Sequence, residues 1–317
     1  MSIGEDDLGI CLSRPKLQQI LYEALPEGTV QTGVAFEKFE ETDKGITVFF
    51  SDGRIAEGDI LVGADGLYSK VRANLSGKER LEEPVYSGTC CWRGYFNSSN
   101  LPLDPQYSWA EFWGVGTRFG YFDVGGGQFS FYAFNNTPAG GNDDAQGSSL
   151  NALRSLFKGY AEPVPAIIES LDIHKIYRDD IVDRPPLGTQ WGQGQVTLIG
   201  DASHPVQPSI GQGGCMAVED SFELAKLLST STGDGDTIPS LLRQFEASRT
   251  RRVTRVFNTS RQIGLLAQAN TTIGCFLRNS IYKLTPTWLA DLQFKWLFDY
   301  QPGVTECKDE LNNSILP

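Results

Sequence analysis

The stretch that most constrains this chain is Val196 to Leu228, V-T-L-I-G-D-A-S-H-P-V-Q-P-S-I-G-Q-G-G-C-M-A-V-E-D-S-F-E-L-A-K-L-L. Val196-Thr197-Leu198-Ile199 has the β-branched and aliphatic makeup of a strand buried on both faces. Gly200 and Asp201 end it. Pro205, Pro208, Gly211, Gly213 and Gly214 then punctuate a loop. From Met216 to Leu228 apolar residues recur at helical spacing. The order is strand, acidic turn, glycine loop, helix start. A helix N-terminus presents unpaired N–H groups and the positive end of a dipole, which suits an anion or an electron-rich ring edge. Glycines ahead of it let the backbone approach a flat ligand closely.

A second unit has the same build. Ile60-Leu61-Val62-Gly63-Ala64 reads as a strand closing on Asp65-Gly66, with a helix starting near Ser69 and running through Val71-Arg72. A doubly wound sheet places acids at the carboxyl ends of two parallel strands around one crevice. Upstream, Ser13-Arg14-Pro15 with Leu17, Ile20, Leu21 and Leu25 predicts a capped helix with one apolar stripe. Arg14 is out of place at the positive end of a helix unless an anion lies nearby. Alternating stretches at Ala35–Glu40 and Gly45–Phe50, followed by Ser51-Asp52-Gly53-Arg54, predict strands and a hairpin turn.

From Tyr86 to Phe134 aromatic residues alternate with small or polar ones, as in an antiparallel sheet with one packed face and one free to line a cavity. An apolar substrate wall and a plain aromatic core both satisfy that pattern. Helical patterns follow at Asn151–Tyr160 and Val164–Leu171, then a strand at Ile173–Val182. A long arginine-rich helix is expected over Ile238–Ala267, its cations solvated or paired with acids. Amphipathic pieces between Thr271 and Tyr300 are expected to pack onto the main domain or to touch a membrane surface.

The bulk numbers set limits. With 27 basic and 39 acidic residues the net charge is −12, which argues against broad electrostatic binding to nucleic acid. The six cysteines, Cys11, Cys90, Cys91, Cys215, Cys275 and Cys307, show no repeated spacing and only two histidines accompany them. No metal site is expected, and a reducing compartment is preferred. No apolar run reaches a membrane span, and Met1–Gly9 lacks the features of a signal peptide.

Three groups of residues carry a family resemblance. They are Leu12-Ser13-Arg14, Val62-Gly63-Ala64-Asp65-Gly66 with Ser69-Lys70-Val71-Arg72, and Gly200-Asp201-Ala202 with Pro208 and Gly211-Gln212-Gly213-Gly214. Together they resemble the FAD-dependent aromatic-ring hydroxylase type of monooxygenase. Leu17–Leu21, Tyr86-Ser87-Gly88, Tyr132-Ala133-Phe134, Pro138–Gly141 and Gln212–Ala217 are similar in particular to the zeaxanthin epoxidases. The resemblance implies a mixed α/β fold: an incomplete doubly wound FAD-binding domain, an inserted antiparallel-sheet substrate domain and C-terminal helices. The expected boundaries are 1–82 and 183–245 for the FAD-binding parts, 83–182 for the substrate domain and 246–317 for the helical region.

The same resemblance implies FAD as cofactor and NADPH, or NADH, as reductant. Arg14 would contact the flavin nucleotide, Asp65 and Gly66 would lie near the pyrophosphate, and Gly200-Asp201 would hold the ribityl chain. Pro208 would shape the path back to the ring, beside which Gly211, Gln212, Gly213 and Gly214 would lie. No catalytic residue is assigned. The expected reaction inserts one oxygen atom from O2 into an apolar substrate, with carotenoid epoxidation, as of zeaxanthin, set against hydroxylation of a phenolic substrate. The glycine-rich β–α–β unit that opens such proteins, G-x-G-x-x-G, is not found in this sequence. A fragment, or a natural short form acting only through protein contacts, therefore stays open. A small apolar or aromatic substrate, peripheral membrane contact and a plastid setting are the remaining expectations on partners and location.

Overall fold

The computed structural model describes residues 11–42, 45–99, 101–104, 108–229 and 237–301. Met1–Gly9 and Cys307 lie outside them. The chain opens with helix α1 (Arg14–Glu23), capped by Ser13, whose hydroxyl accepts from the Lys16 amide, with Pro15 in its first turn. A three-stranded antiparallel meander follows: β1 (Phe36–Thr42), β2 (Gly45–Phe50) and β3 (Ile55–Gly58). The Asp-Gly turn joins β2 to β3 as its composition predicts, and β3 is a strand that lacks any alternating pattern.

β4 (Leu61–Gly63) and β10 (Val196–Leu198) form the parallel pair. Their register sets Val62 against Thr197 and Gly63 against Leu198. The two acidic turns therefore leave the same end of neighbouring strands. Gly63 is required by contact, since a Cβ there would stand 2.6 Å from Leu198 Cδ2 and 2.9 Å from Val71 of α2 (Lys70–Leu75). β10 is wholly buried as expected, while Leu61 and Val62 are only half-buried. The core around this pair gathers Val71, Val196, Leu198, Met216, Leu242, Phe245 and Val256.

The second lobe is a five-stranded antiparallel sheet of β5 (Val85–Asn97), β6 (Trp109–Trp113), β7 (Thr117–Asp123), β8 (Gln128–Asn136) and β9 (Tyr177–Asp183), in the order β6-β7-β8-β5-β9. One face carries Trp92, Phe119, Tyr121, Phe131 and Ala133 into a core closed by α3 (Ser149–Leu156) and α4 (Val164–Ser170). Alternation turns Arg118, Phe134 and Asn136 to the opposite face. The strand expected from Ile173 starts only at Tyr177, because Asp172 caps a short 3-10 turn over Ile173–Lys175.

Helices α5 (Gly213–Leu228) and α6 (Thr237–Ala267) return to the first lobe. α6 runs unbroken past the boundary expected at 245/246. Its arginines are paired as anticipated: Arg249 with Glu219 and Asp220, Arg252 with Glu219, Arg261 with Asp183. Apolar side chains on three helices stay uncovered. The α1 stripe is exposed at Leu17, Ile20, Leu21 and Leu25. On α7 (Thr272–Leu284) and α8 (Thr287–Phe298), Cys275, Arg278 and Leu297 are buried, whereas Ile273, Phe276, Leu284 and Trp288 face outward. Both helices have apolar residues on more than one side, and a single contact face cannot cover them. No helix among the described residues is long and apolar enough to cross a membrane.

Candidate functional site

Asp201 lies three residues after β10, in a 3-10 turn over Gly200–Ala202. Gly200 has φ of +56°, and a Cβ there would stand 3.0 Å from Ala217 Cβ. Both facts favour glycine at this strand exit. Its amide is held by a buried carboxylate, Asp220 of α5, at 2.9 Å. Asp220 also accepts from His204 Nε2 at 2.6 Å and from Arg249 Nε at 2.8 Å. His204 is buried edge-on against Trp191. Burial alone would raise the Asp220 carboxyl. His204, Arg249 and the Gly200 amide outweigh it and hold the group below the ordinary 3.8. Asp220, His204 and Arg249 thus fix the turn from behind.

The Asp201 carboxylate itself accepts no hydrogen bond from the described residues. Desolvation pushes it above the ordinary carboxylate range, while His204 and Arg14 pull the other way. Arg14 therefore sits within electrostatic reach of Asp201 but forms no ion pair with it among the described residues. A Cβ on Gly213 would lie 4.0 Å from Asp201 Oδ1. Gly213 opens α5, and its N-cap residue Gln212 makes no side-chain capping bond. The first amides of a 16-residue helix are thus open beside an acid without a donor. Pro208 starts a 3-10 turn over Pro208–Ile210, and Gly211 leaves it at φ +67°. A Cβ on Gly211 or Gly214 would meet nothing within 4 Å, so open space lies against this backbone.

Asp65 behaves differently from Asp201. Its carboxylate accepts from Ser69 Oγ (2.5 Å), Lys70 N (2.7 Å) and Val71 N (3.1 Å), so it caps α2. Gly66 sits at φ +79° in the turn between them. From α2, Arg72 reaches the Ala202 and Ser203 carbonyls at 3.3 and 3.0 Å and ties the two acidic turns together.

A cavity of about 520 Å³ opens between the second sheet and the end of α6. Tyr86, Arg118, Phe134 and Asn136 line it from the sheet, Gln207 and Ser209 from the Pro208 turn, and Arg261 and Gln268 from the helical side. Gln207 and Ser209 belong to the loop that continues through Gly211 into α5, so the same loop borders the cavity and carries the glycines. Ser260 Oγ donates to the Gln207 carbonyl at 2.6 Å, and Gln207 Nε2 to Asp183 at 2.9 Å, which clamps that wall.

The sequence pattern picks out Arg14, Gly200, Asp201, Pro208 and the glycine loop, and the fold gathers them. It passes over Asp220, His204, Arg249, Arg118 and Gln268. His204 follows Gly200-Asp201 closely enough to have been a signal. Arg118 and Gln268 come to one cavity only through the tertiary fold and leave none.

The family model described as "FAD binding domain" matches residues 181–260. The chain is 40% identical over 263 residues to zeaxanthin epoxidase of Nicotiana plumbaginifolia, covering 81% of this chain and 39% of that protein. It thus spans well under half the length of that relative. It is 35% identical over 295 residues to the aurachin C monooxygenase/isomerase of Stigmatella aurantiaca, covering 92% of this chain and 73% of that one. Among solved structures, Klebsiella pneumoniae HpxO complexed with FAD and uric acid superposes with a TM-score of 0.73 at 29% identity, over 91% of this chain and 68% of the other. A salicylate hydroxylase substrate complex gives 0.74 at 25% identity, over 92% and 73%. The chain belongs to the family of FAD-dependent monooxygenases.

Proposed function

We propose that the chain carries the chemistry end of a monooxygenase that inserts one oxygen atom into an apolar ring or double bond, with a carotenoid such as zeaxanthin as the preferred substrate class. The observation that supports this reading is one continuous loop: it lines the 520 Å³ cavity at Gln207 and Ser209 and runs on through Gly211 to the uncapped start of α5. FAD, reduced by NADPH or NADH, supplies the activation of O2 there. Asp201, which lacks a donor, accepts from the polyol hydroxyls of the cofactor chain. The amides of Gln212, Gly213 and Gly214 and the dipole of α5 favour negative charge on the ring edge, and Gly211, whose own amide bonds the Pro208 carbonyl, turns the backbone toward it. Gly200 and Pro208 set the backbone path on either side. Arg14 balances cofactor phosphate, while Asp65 and Gly66 border the nucleotide side by fixing the start of α2. An alkene needs no ionised nucleophile, so the cavity's tasks are to hold the double bond and to exclude water.

Titration of the purified chain with FAD, followed by flavin fluorescence, tests the cofactor assignment. Asp201→Ala should weaken FAD binding by roughly tenfold or more, the worth of hydrogen bonds to a charged acceptor. Incubation with zeaxanthin, NADPH and O2 should yield a 5,6-epoxide by mass spectrometry. Turnover of phenols without epoxide assigns hydroxylation instead, and a chain that FAD cannot reconstitute overturns both reactions.

A further inference from the structure

The end of α6 carries a glycine that its own helix does not ask for. Gly264 is buried within α6, and its φ is not positive, so backbone conformation leaves the residue type open. Glycine is a poor helix former, because it gives up more backbone freedom on folding than any other residue. Space explains it. A Cβ at 264 would stand 2.7 Å from Ser209 Oγ and 3.2 Å from Gln207 Oε1, the first closer than real Cβ atoms come. Gly264 is thus the seat on which the loop ahead of α5 rests.

That loop has little freedom to move off the seat. Gln207 is pinned at both ends: Ser260 Oγ donates to its carbonyl at 2.6 Å, and its Nε2 donates to Asp183 at 2.9 Å. A carboxylate only accepts, so the Gln207 amide must turn its nitrogen to Asp183 and its oxygen toward Gly264. Asp183 is fully buried and is held by Arg261 through two bonds of 2.5 and 2.8 Å. Ser260 and Arg261 lie four and three residues before Gly264, which puts all three on one side of α6. Ser209 sits in the turn Pro208–Ile210, closed by the Gly211 amide on the Pro208 carbonyl at 3.0 Å. Only Ile210 and Gly211 separate Ser209 from Gln212, which leads into α5. A shift at Ser209 therefore reaches the open amides of Gln212, Gly213 and Gly214 with almost no chain to absorb it.

We propose that Gly264, with Ser260 and Asp183, positions the flavin ring: the close seat at 264 sets how far the loop from Gln207 to Gly213 stands out from α6 toward the cofactor. This role rests on the reading of the α5 start as the neighbour of the ring, and it adds the residues that fix their separation. All three are positioning residues, acting through the loop.

FAD titration of the full chain tests it, read by flavin fluorescence for Kd, by visible absorbance and circular dichroism of the bound flavin, and by Tm. Gly264→Ala should weaken FAD binding by about tenfold, toward the lower end of what one overpacked methyl costs. It should also move the absorption bands of the bound flavin, which follow the hydrogen bonds and polarity at the ring edge. Adding Ser209→Ala removes the clashing oxygen and leaves the Ser209 Cβ at 3.6 Å, an ordinary contact. The double variant should regain most of the lost affinity and the wild-type bands. Ile167→Ala, in the core on the far face of the second sheet, should lower Tm and leave Kd and the bands unchanged. Ser260→Ala adds no volume and frees the Gln207 carbonyl; it should shift the same bands and replaces Gly264→Ala if that variant does not fold. Wild-type affinity and bands in Gly264→Ala, or in Ser260→Ala in its place, overturn the proposal. A double variant no better than Gly264→Ala, or an equal change in Ile167→Ala, does the same. A wild-type chain that takes up no FAD overturns the cofactor assignment together with this role, whereas a wild type that binds FAD beside unaltered variants overturns this role alone.

Discussion

Asp220 offers the most searching test of how the acidic turn is held. It is fully buried and accepts from His204, Arg249 and the Gly200 amide at 2.6, 2.8 and 2.9 Å. In Asp220→Ala all three donors lose their acceptor at once. Removing one partner of a buried ion pair costs about 3–5 kcal/mol. Arg249 keeps Glu219 at 2.7 Å and the Tyr300 hydroxyl at 2.8 Å, so the low end applies. With the stranded Gly200 amide, the loss comes to about 4 kcal/mol. For a chain of 317 residues that corresponds to a fall of about 6 °C in Tm. Asp220→Asn keeps one acceptor oxygen and should lose about half as much. Thermal unfolding followed by circular dichroism at neutral pH measures both.

The pH dependence has a definite sign. The folded carboxyl sits below its ordinary 3.8, so its contribution is complete above that value and disappears as pH falls through the folded pKa. The gap in Tm between wild type and Asp220→Ala should therefore narrow on acidification below about pH 4. A loss under about 1 kcal/mol at neutral pH, or a gap that widens in acid, would refute the account of Asp220 as the anchor of the turn.

Two further outcomes follow from contacts already described. Gly63→Ala places a methyl against Leu198 and Val71 and should cost about 1–3 kcal/mol, read as a lower denaturation midpoint in urea; an unchanged midpoint would show that the β4–β10 pair is loosely packed. Arg261→Met leaves the buried Asp183 with only Gln207 as a side-chain donor; it should destabilise the fold by about 3 kcal/mol and loosen the Pro208 turn, which limited proteolysis would detect.

What the sequence revealed tracks how local each signal is. Ser69, Ser13 and the Asp52-Gly53 turn act on backbone within a few residues of themselves, and all three do in the fold what their types predict. Val196–Leu198 was legible as a buried strand because no polar residue but Thr197 interrupts it, and Thr197 meets Glu246 at 2.7 Å. Asp65 and Asp201 look alike in sequence, yet one is consumed by its own helix and the other is left open. The difference lies in the Ser69 hydroxyl and the Lys70 and Val71 amides, which come within reach of Asp65, whereas prolines at 205 and 208 delay the helix after Asp201. The exposed stripe of α1 shows the limit of periodicity, which reports that a face is apolar and not what it meets. Arg118 and Gln268 were invisible for another reason. They come from strand β7 and the residue after α6, 150 positions apart, and neither belongs to a spaced motif.

The unbroken course of α6 has an evolutionary consequence. Its middle, through Glu246, Arg249 and Arg252, is bonded to the strand pair and to α5, while its last turn and the residues just after it, 264–270, wall the cavity. Substitutions confined to that last stretch can recut the cavity and leave the acidic turn in register, because the rod between them is continuous. On the proposed reading of the cavity, a lineage could exchange one substrate for another by changing side chains at the tip of a single helix, without re-evolving the half of the molecule that holds the acidic turn.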